Sequence, residues 1–191
     1  MTPQRSPSLD ASPTCLHRRH FLKLTAFAAA AMIAGPAFAK IGPLRQRPLS
    51  FYNTHTGETL RTEYWAHGHY VPEGLAEINH ILRDHRTNEV KAIDPRLLDL
   101  LYLLQLKLGS RQAFHIISGY RSPATNAFLH ANSSGVASHS LHMDGMAADI
   151  FLPDRSLHTL RQAALSLECG GVGYYPESNF VHVDVGRVRQ W

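Results

Sequence analysis

Between Asp94 and Gly109 the chain reads DPRLLDLLYLLQLKLG, and this segment restricts the fold more than any other. Asp94 is an N-cap residue, Pro95 suits the first helical position, and Gly109 is a helix stop, so the spacing predicts one helix. Its leucines run nearly all round. A surface helix keeps a polar face, so this one belongs at the centre, wrapped by other elements. Those elements are mixed. LSFYNTHTGETLRTEYW alternates apolar and polar residues on both sides of Thr56-Gly57-Glu58, which predicts a hairpin. Leu75, Ile78, Ile81 and Leu82 recur at helical spacing after Pro72. Phe114 to Ile117 and Gly145 to Phe151 read as strands, with a helix from Pro123 to about Ala131 and a flexible Ser/Gly loop from Asn132 to Ser138 between them. RSLHTLRQAALSL follows as an amphipathic helix, and Val172 to Tyr175 with Phe180 to Val185 as a closing hairpin. Without a steady strand–helix alternation, the expected class is α+β, an antiparallel sheet flanked by helices.

The first 39 of the 191 residues stand apart. A polar lead gives way to RRHFLK, then to the apolar run LTAFAAAAMIAGPAFA, ending in an A-x-A site. That is the layout of a secretory signal. Arg18-Arg19 with Phe21, Leu22 and Lys23 resembles a twin-arginine signal, so the expected location is periplasmic or exported by twin-arginine translocation. The alternative is a membrane anchor, but the run is short and broken by Gly35 and Pro36. Residues 40–48 read as a linker, leaving 49–191 as one domain.

Cleavage changes the charge balance. Of 19 Lys+Arg and 15 Asp+Glu, residues 1–39 hold Arg5, Arg18, Arg19 and Lys23 against Asp10, leaving 15 basic and 14 acidic residues. No basic stripe remains to suit nucleic acid, and no second apolar run is long enough to span a membrane. Cys15 leaves with the signal. Cys169 alone forms no internal disulfide, so the domain is held by its core or by a metal. Cys169 itself reads as a small packed residue.

The chemistry concentrates in SHSLHMDGMAADIF, residues 138–151. His142 and Asp149 lie seven residues apart with small residues between, which lets a loop histidine and a strand aspartate converge on one ion. His182-Val183-Asp184 offers a third ligand. On a strand His182 and Asp184 share a face, so Asp184 sits beside a metal histidine as proton acceptor or as its orienting partner.

Residues 140–149 match S-x-H-x-x-G-x-A-x-D at every fixed position. With the later H-x-D, the chain resembles the zinc peptidases grouped around D-Ala-D-Ala carboxypeptidase, lysostaphin and the hedgehog amino-terminal domain. SGYRSPATN, SSGVASHSLHM and GGVGYYPESNFVHVDVGRVRQW narrow the resemblance to the murein endopeptidase K branch, over essentially all of residues 49–191. The resemblance implies a hedgehog/DD-peptidase-like fold and one zinc ion held by His142, Asp149 and His182. The implied substrate is a peptide cross-link of peptidoglycan, with one joining two diaminopimelate residues as a candidate. It also implies metal-assisted amide hydrolysis. Arg121 matches an arginine that faces substrate, suited to a peptide carboxylate or a developing oxyanion. One position departs: related carboxypeptidases carry a carboxylate general base three residues before the last histidine, where this chain has Asn179. The proton then falls to Asp184, the preferred candidate, to Glu177, or to the metal's own hydroxide. His139 reads as a cleft-lining group, Asp144 as a solvated carboxylate, and Tyr120, Tyr174 and Tyr175 as cleft or core aromatics. Two alternatives stay open on pattern alone: a carboxypeptidase acting on stem peptides, and a zinc-bearing cell-wall binding module without peptidase activity.

Overall fold

A computed structural model describes residues 46–132 and 136–191. The expected signal, most of the expected linker and the middle of the Ser/Gly loop lie outside the described residues. Among the described residues eight strands form one sheet: β1 (Gln46–Asn53), β2 (Thr59–Ala66), β3 (His69–Tyr70), β4 (Phe114–Ser118), β5 (Ala147–Phe151), β6 (Gly171–Tyr175), β7 (Phe180–Asp184) and β8 (Arg189–Gln190). Their spatial order is β3-β2-β1-β4-β5-β7-β6-β8. Four helices join them: α1 (Pro72–Ile81), α2 (Pro95–Leu108), α3 (Pro123–Asn132) and α4 (Leu157–Leu165).

The leucine-rich segment forms α2 as its ends demand. The Asp94 carboxylate accepts from the Arg96 amide, and Gly109 closes the helix at φ 59°. Leu97, Leu98, Leu101 and Leu104 are fully buried. Helix α2 packs on α4 and β1, while α4 also covers β6 and β7. The core therefore fills one face of the sheet, built from Phe51, Phe114, Ile116, Ile150, Val181 and Val183 against the helices.

The mixed class is as expected, but the sheet is not purely antiparallel. β1 runs parallel to β4 and β8 parallel to β6. β1 also starts at Gln46, inside the stretch read as linker, because Arg47 anchors it by an ion pair to Asp99 of α2 at 2.8 Å. Strand β5 begins at Ala147, later than expected, because Gly145 at φ 69° instead ends a short 3-10 turn, Leu141–Asp144. Cys169 packs against the core and its thiol donates to the Leu167 carbonyl. No helix of the described residues is long and apolar enough to cross a membrane.

Candidate metal centre

Strands β5 and β7 place Asp149 directly opposite His182 in an antiparallel pair. Partners in such a pair share a face. Val181, Val183, Ala148 and Ile150 point the other way into the core, so period-two alternation alone delivers His182, Asp184 and Asp149 to the opposite, cleft-bearing side. His142 comes from the 3-10 turn. The Ser140 hydroxyl accepts from the His142 amide to start that turn, and Gly145 closes it. A side chain at Gly145 would strike the Ala92 carbonyl at 2.5 Å.

Three donor atoms meet there. His142 Nε2 lies 3.2 Å and His182 Nδ1 2.8 Å from Asp149 Oδ1, and the two nitrogens are 3.2 Å apart. A tetrahedral ion with ligands at ~2.0–2.1 Å would separate them by about 3.3 Å. The outer nitrogens fix what faces inward. His142 Nδ1–H donates to the Gly119 carbonyl at 2.7 Å, and His182 Nε2–H donates to Asp184 Oδ2 at 3.1 Å. As neutral rings both histidines therefore turn lone pairs towards each other and towards a carboxylate. Three acceptors in contact need a positive charge between them. Burial disfavours charge on His182, yet Asp149 and Asp184 outweigh it and raise its pKa to about 9. Burial likewise opposes the Asp149 anion, and His142 and His182 overcome it, holding Asp149 well below the usual carboxylate range. The donor set thus fits a zinc ion.

The centre forms part of a cleft of ≈ 530 Å³, shared with Arg121, His139, Tyr175, Phe180, Arg189 and Trp191 among others. Arg121 leaves the SGYRS turn, which is anchored twice: the Asp84 carboxylate accepts from the Ser122 amide, and the Leu82 carbonyl from the Tyr120 amide. Its contacts are long, 3.5 Å to Asp149 Oδ2 and 3.4 Å to both Ser118 and Asn126, and its buried Nε has no partner. The guanidinium keeps donor capacity for a ligand.

Asp184, expected as the reaction's proton acceptor or as the orienting partner of His182, is met by donors on both oxygens. It is fully buried. Oδ1 accepts from the Gly171 and Gly186 amides and from Arg189 Nη1, while Oδ2 accepts from Arg189 Nη2 at 2.7 Å and from His182. Burial would raise its pKa, but His182, Arg189 and the two amides hold it well below the usual carboxylate range. A carboxylate so occupied suits the orienting role beside His182. Ser178, not Glu177, is the residue of the β6–β7 turn that lines the cleft beside Tyr175 and Phe180. Asn179 sits exposed at φ 56°, a backbone region asparagine tolerates, so its side chain is explained by the turn. His139 is exposed at the rim, and Asp144 is exposed. Among the tyrosines Tyr175 lines the cleft, while Tyr120 and Tyr174 pack with the core.

Sequence reasoning passed over Arg189 and Trp191. The Trp191 ring lies 5.3 Å from His182 with its Nε1–H donating to the Tyr175 hydroxyl at 2.7 Å. The signal was in GGVGYY: side chains at Gly171 and Gly173 would collide with Arg189 and with the Trp191 indole.

Comparison with known proteins shows the family. The family model described as Peptidoglycan L,D-endopeptidase MepK matches residues 43–191. Peptidoglycan L,D-endopeptidase MepK of Escherichia coli (strain K12) is 48% identical over 176 residues, covering 92% of this chain and 97% of the relative. The Shigella flexneri protein of the same name gives the same figures. The Haemophilus influenzae protein named probable peptidoglycan L,D-endopeptidase MepK is 39% identical over 177 residues, covering 92% and 95%. The chain belongs to the MepK family of M15-type peptidases.

Proposed function

We propose that this protein is an exported, zinc-dependent peptidoglycan endopeptidase that hydrolyses L,D peptide cross-links of the cell wall. The observation that carries the reading is the triangle of inward-facing donors, His142, Asp149 and His182, set in an open cleft. The bond type follows from the names of its relatives. The hedgehog/DD-peptidase-like architecture and the twin-arginine route belong to the same proposal.

His142, Asp149 and His182 would hold a zinc ion, whose chemistry there would be a water of pKa lowered towards ~7 and polarisation of the scissile carbonyl. The chain's own residues do the rest. Gly119 and Asp184 fix the tautomers of His142 and His182, so both rings stay ligands rather than acids. Arg121, charged and under-satisfied, binds the oxyanion as it forms or a stem-peptide carboxylate. Tyr175, Phe180 and Trp191 form an aromatic wall beside the metal ligands, suited to the aliphatic arm of a cross-linking residue.

Isolated sacculi incubated with the zinc-loaded protein and with His142→Ala test this by mass-spectrometric muropeptide profiling. L,D-linked dimers should fall and monomers rise with the intact site alone. Trimming of single D-amino acids would instead make it a carboxypeptidase, and zinc retention without any change would make it a binding module.

A further inference from the structure

β8 lies at the sheet edge and brings Arg189 into contact with Asp184, the partner of His182. Arg189 grips Asp184 as a fork, Nη1 to Oδ1 at 3.1 Å and Nη2 to Oδ2 at 2.7 Å. Asp184 Oδ2 is the atom that receives His182 Nε2–H, and His182 Nδ1 is the candidate ligand atom. The order is therefore guanidinium, carboxylate, imidazole, metal position. Bidentate Arg–carboxylate pairs fix geometry as well as charge.

The surroundings are cut to fit this chain of contacts. Gly171 stands opposite Arg189 in the β6–β8 pair, and Gly173 opposite His182 in the β6–β7 pair. A Cβ at Gly171 would meet Arg189 Nη1 at 2.5 Å as well as Asp184, and one at Gly173 would meet the Trp191 indole at 2.7 Å. The Arg189 guanidinium lies 4.8 Å from the Trp191 ring centroid. Trp191 is held in turn by two backbone bonds to β6, its amide to the Val172 carbonyl and its carbonyl from the Tyr174 amide.

We propose that Arg189 is a positioning residue for the metal centre. By holding both oxygens of Asp184 it fixes the carboxylate that keeps His182 Nδ1 turned towards the metal position, with the glycine-lined edge of β6 and β8 as its seat. The inference rests on the zinc-binding reading above. The Gly171 and Gly186 amides hold only Oδ1; without the fork Oδ2 keeps no donor but His182, its position loosens, and the ion leaves more readily. Lysine keeps the charge but cannot grip both oxygens.

The test is zinc affinity of the full chain by competition with a chromophoric chelator, alongside thermal melting of the metal-free protein. Arg189→Ala should weaken zinc binding by ~10–100-fold, the range for loss of an outer partner of a metal ligand. Arg189→Lys should recover part of that loss. The Arg189→Ala, Asp184→Asn double variant should bind no more weakly than Asp184→Asn alone, because the arginine acts through the aspartate. Wild-type affinity in Arg189→Ala, or losses that multiply in the double variant, would overturn the proposal. So would a lowered melting point of the metal-free protein with unchanged zinc affinity, which marks a merely structural arginine. If Arg189→Ala does not fold, full wild-type affinity in Arg189→Lys overturns it equally. Failure of the wild-type protein to bind zinc would instead overturn the reading beneath it.

Discussion

Two buried aspartates, Asp99 and Asp149, show how a carboxylate met by donors differs from one set among candidate metal ligands. Asp99 sits on α2 and is met by donors alone: Arg47 Nη1 at 2.8 Å, the Tyr64 hydroxyl at 2.9 Å and the Tyr70 hydroxyl at 3.0 Å. Every partner brings a hydrogen, and the cluster is complete. Asp149 is as buried, yet its nearest neighbours are two imidazoles whose N–H groups are committed to Gly119 and Asp184. Burial and partner distance are alike in the two places. What differs is the direction of the hydrogens, and that direction is set by outer residues.

The comparison can be broken most decisively at the metal. His142→Ala should abolish zinc binding and reduce turnover by ~10³-fold or more, the several kcal/mol a catalytic ion supplies. Metal stoichiometry after dialysis and muropeptide turnover read this out, and near-normal stoichiometry would break the ligand set. Asp99→Ala should do the reverse. It leaves Arg47 and two tyrosine hydroxyls unpaired, costs about 3 kcal/mol in urea denaturation, and spares zinc stoichiometry. Zinc at 100 times its dissociation constant should add about 2.7 kcal/mol to the stability of the wild type and of Asp99→Asn, and nothing to His142→Ala. Equal stabilisation of all three would mean that zinc binds elsewhere. The smallest effect should come from the rim, outside both clusters: His139→Ala should raise KM a few-fold with kcat and zinc unchanged, if this exposed ring touches substrate. A matching fall in kcat would move His139 from the rim into the chemistry.

Much of this was legible in one dimension because it is local. The Asp94 cap, the leucines of α2 and the turn at Gly109 are written within sixteen consecutive residues, and the helix forms as they specify. The His142–Asp149 spacing and the two-residue step from His182 to Asp184 are local as well, and strand alternation turned them into a shared face. What was hidden depends on pairing between distant segments. Nothing in QRPLSFYN announces that β1 will lie parallel to β4, some sixty residues on. The same holds for Asp184: its surroundings depend on Arg189, five residues later and two strands further across the sheet, whose guanidinium grips its carboxylate. The cleft aromatics were ambiguous for a related reason. Tyr174 and Tyr175 are neighbours in sequence and opposites in the fold, since alternation sends one to the core and the other to the cleft.

The turn behind His142 carries a consequence of its own. Gly119 presses so closely on the end of α1 that a methyl group there would meet the Leu82 carbonyl at 2.5 Å, and the same Gly119 supplies the oxygen that sets the His142 tautomer. On the proposed zinc-binding reading, a mutational survey scoring metal loss should flag Gly119 beside His142, Asp149 and His182. A change as slight as Gly119→Ala would therefore displace the carbonyl that holds His142 Nδ1, so one short stretch of backbone serves both the packing on α1 and the orientation of a candidate ligand.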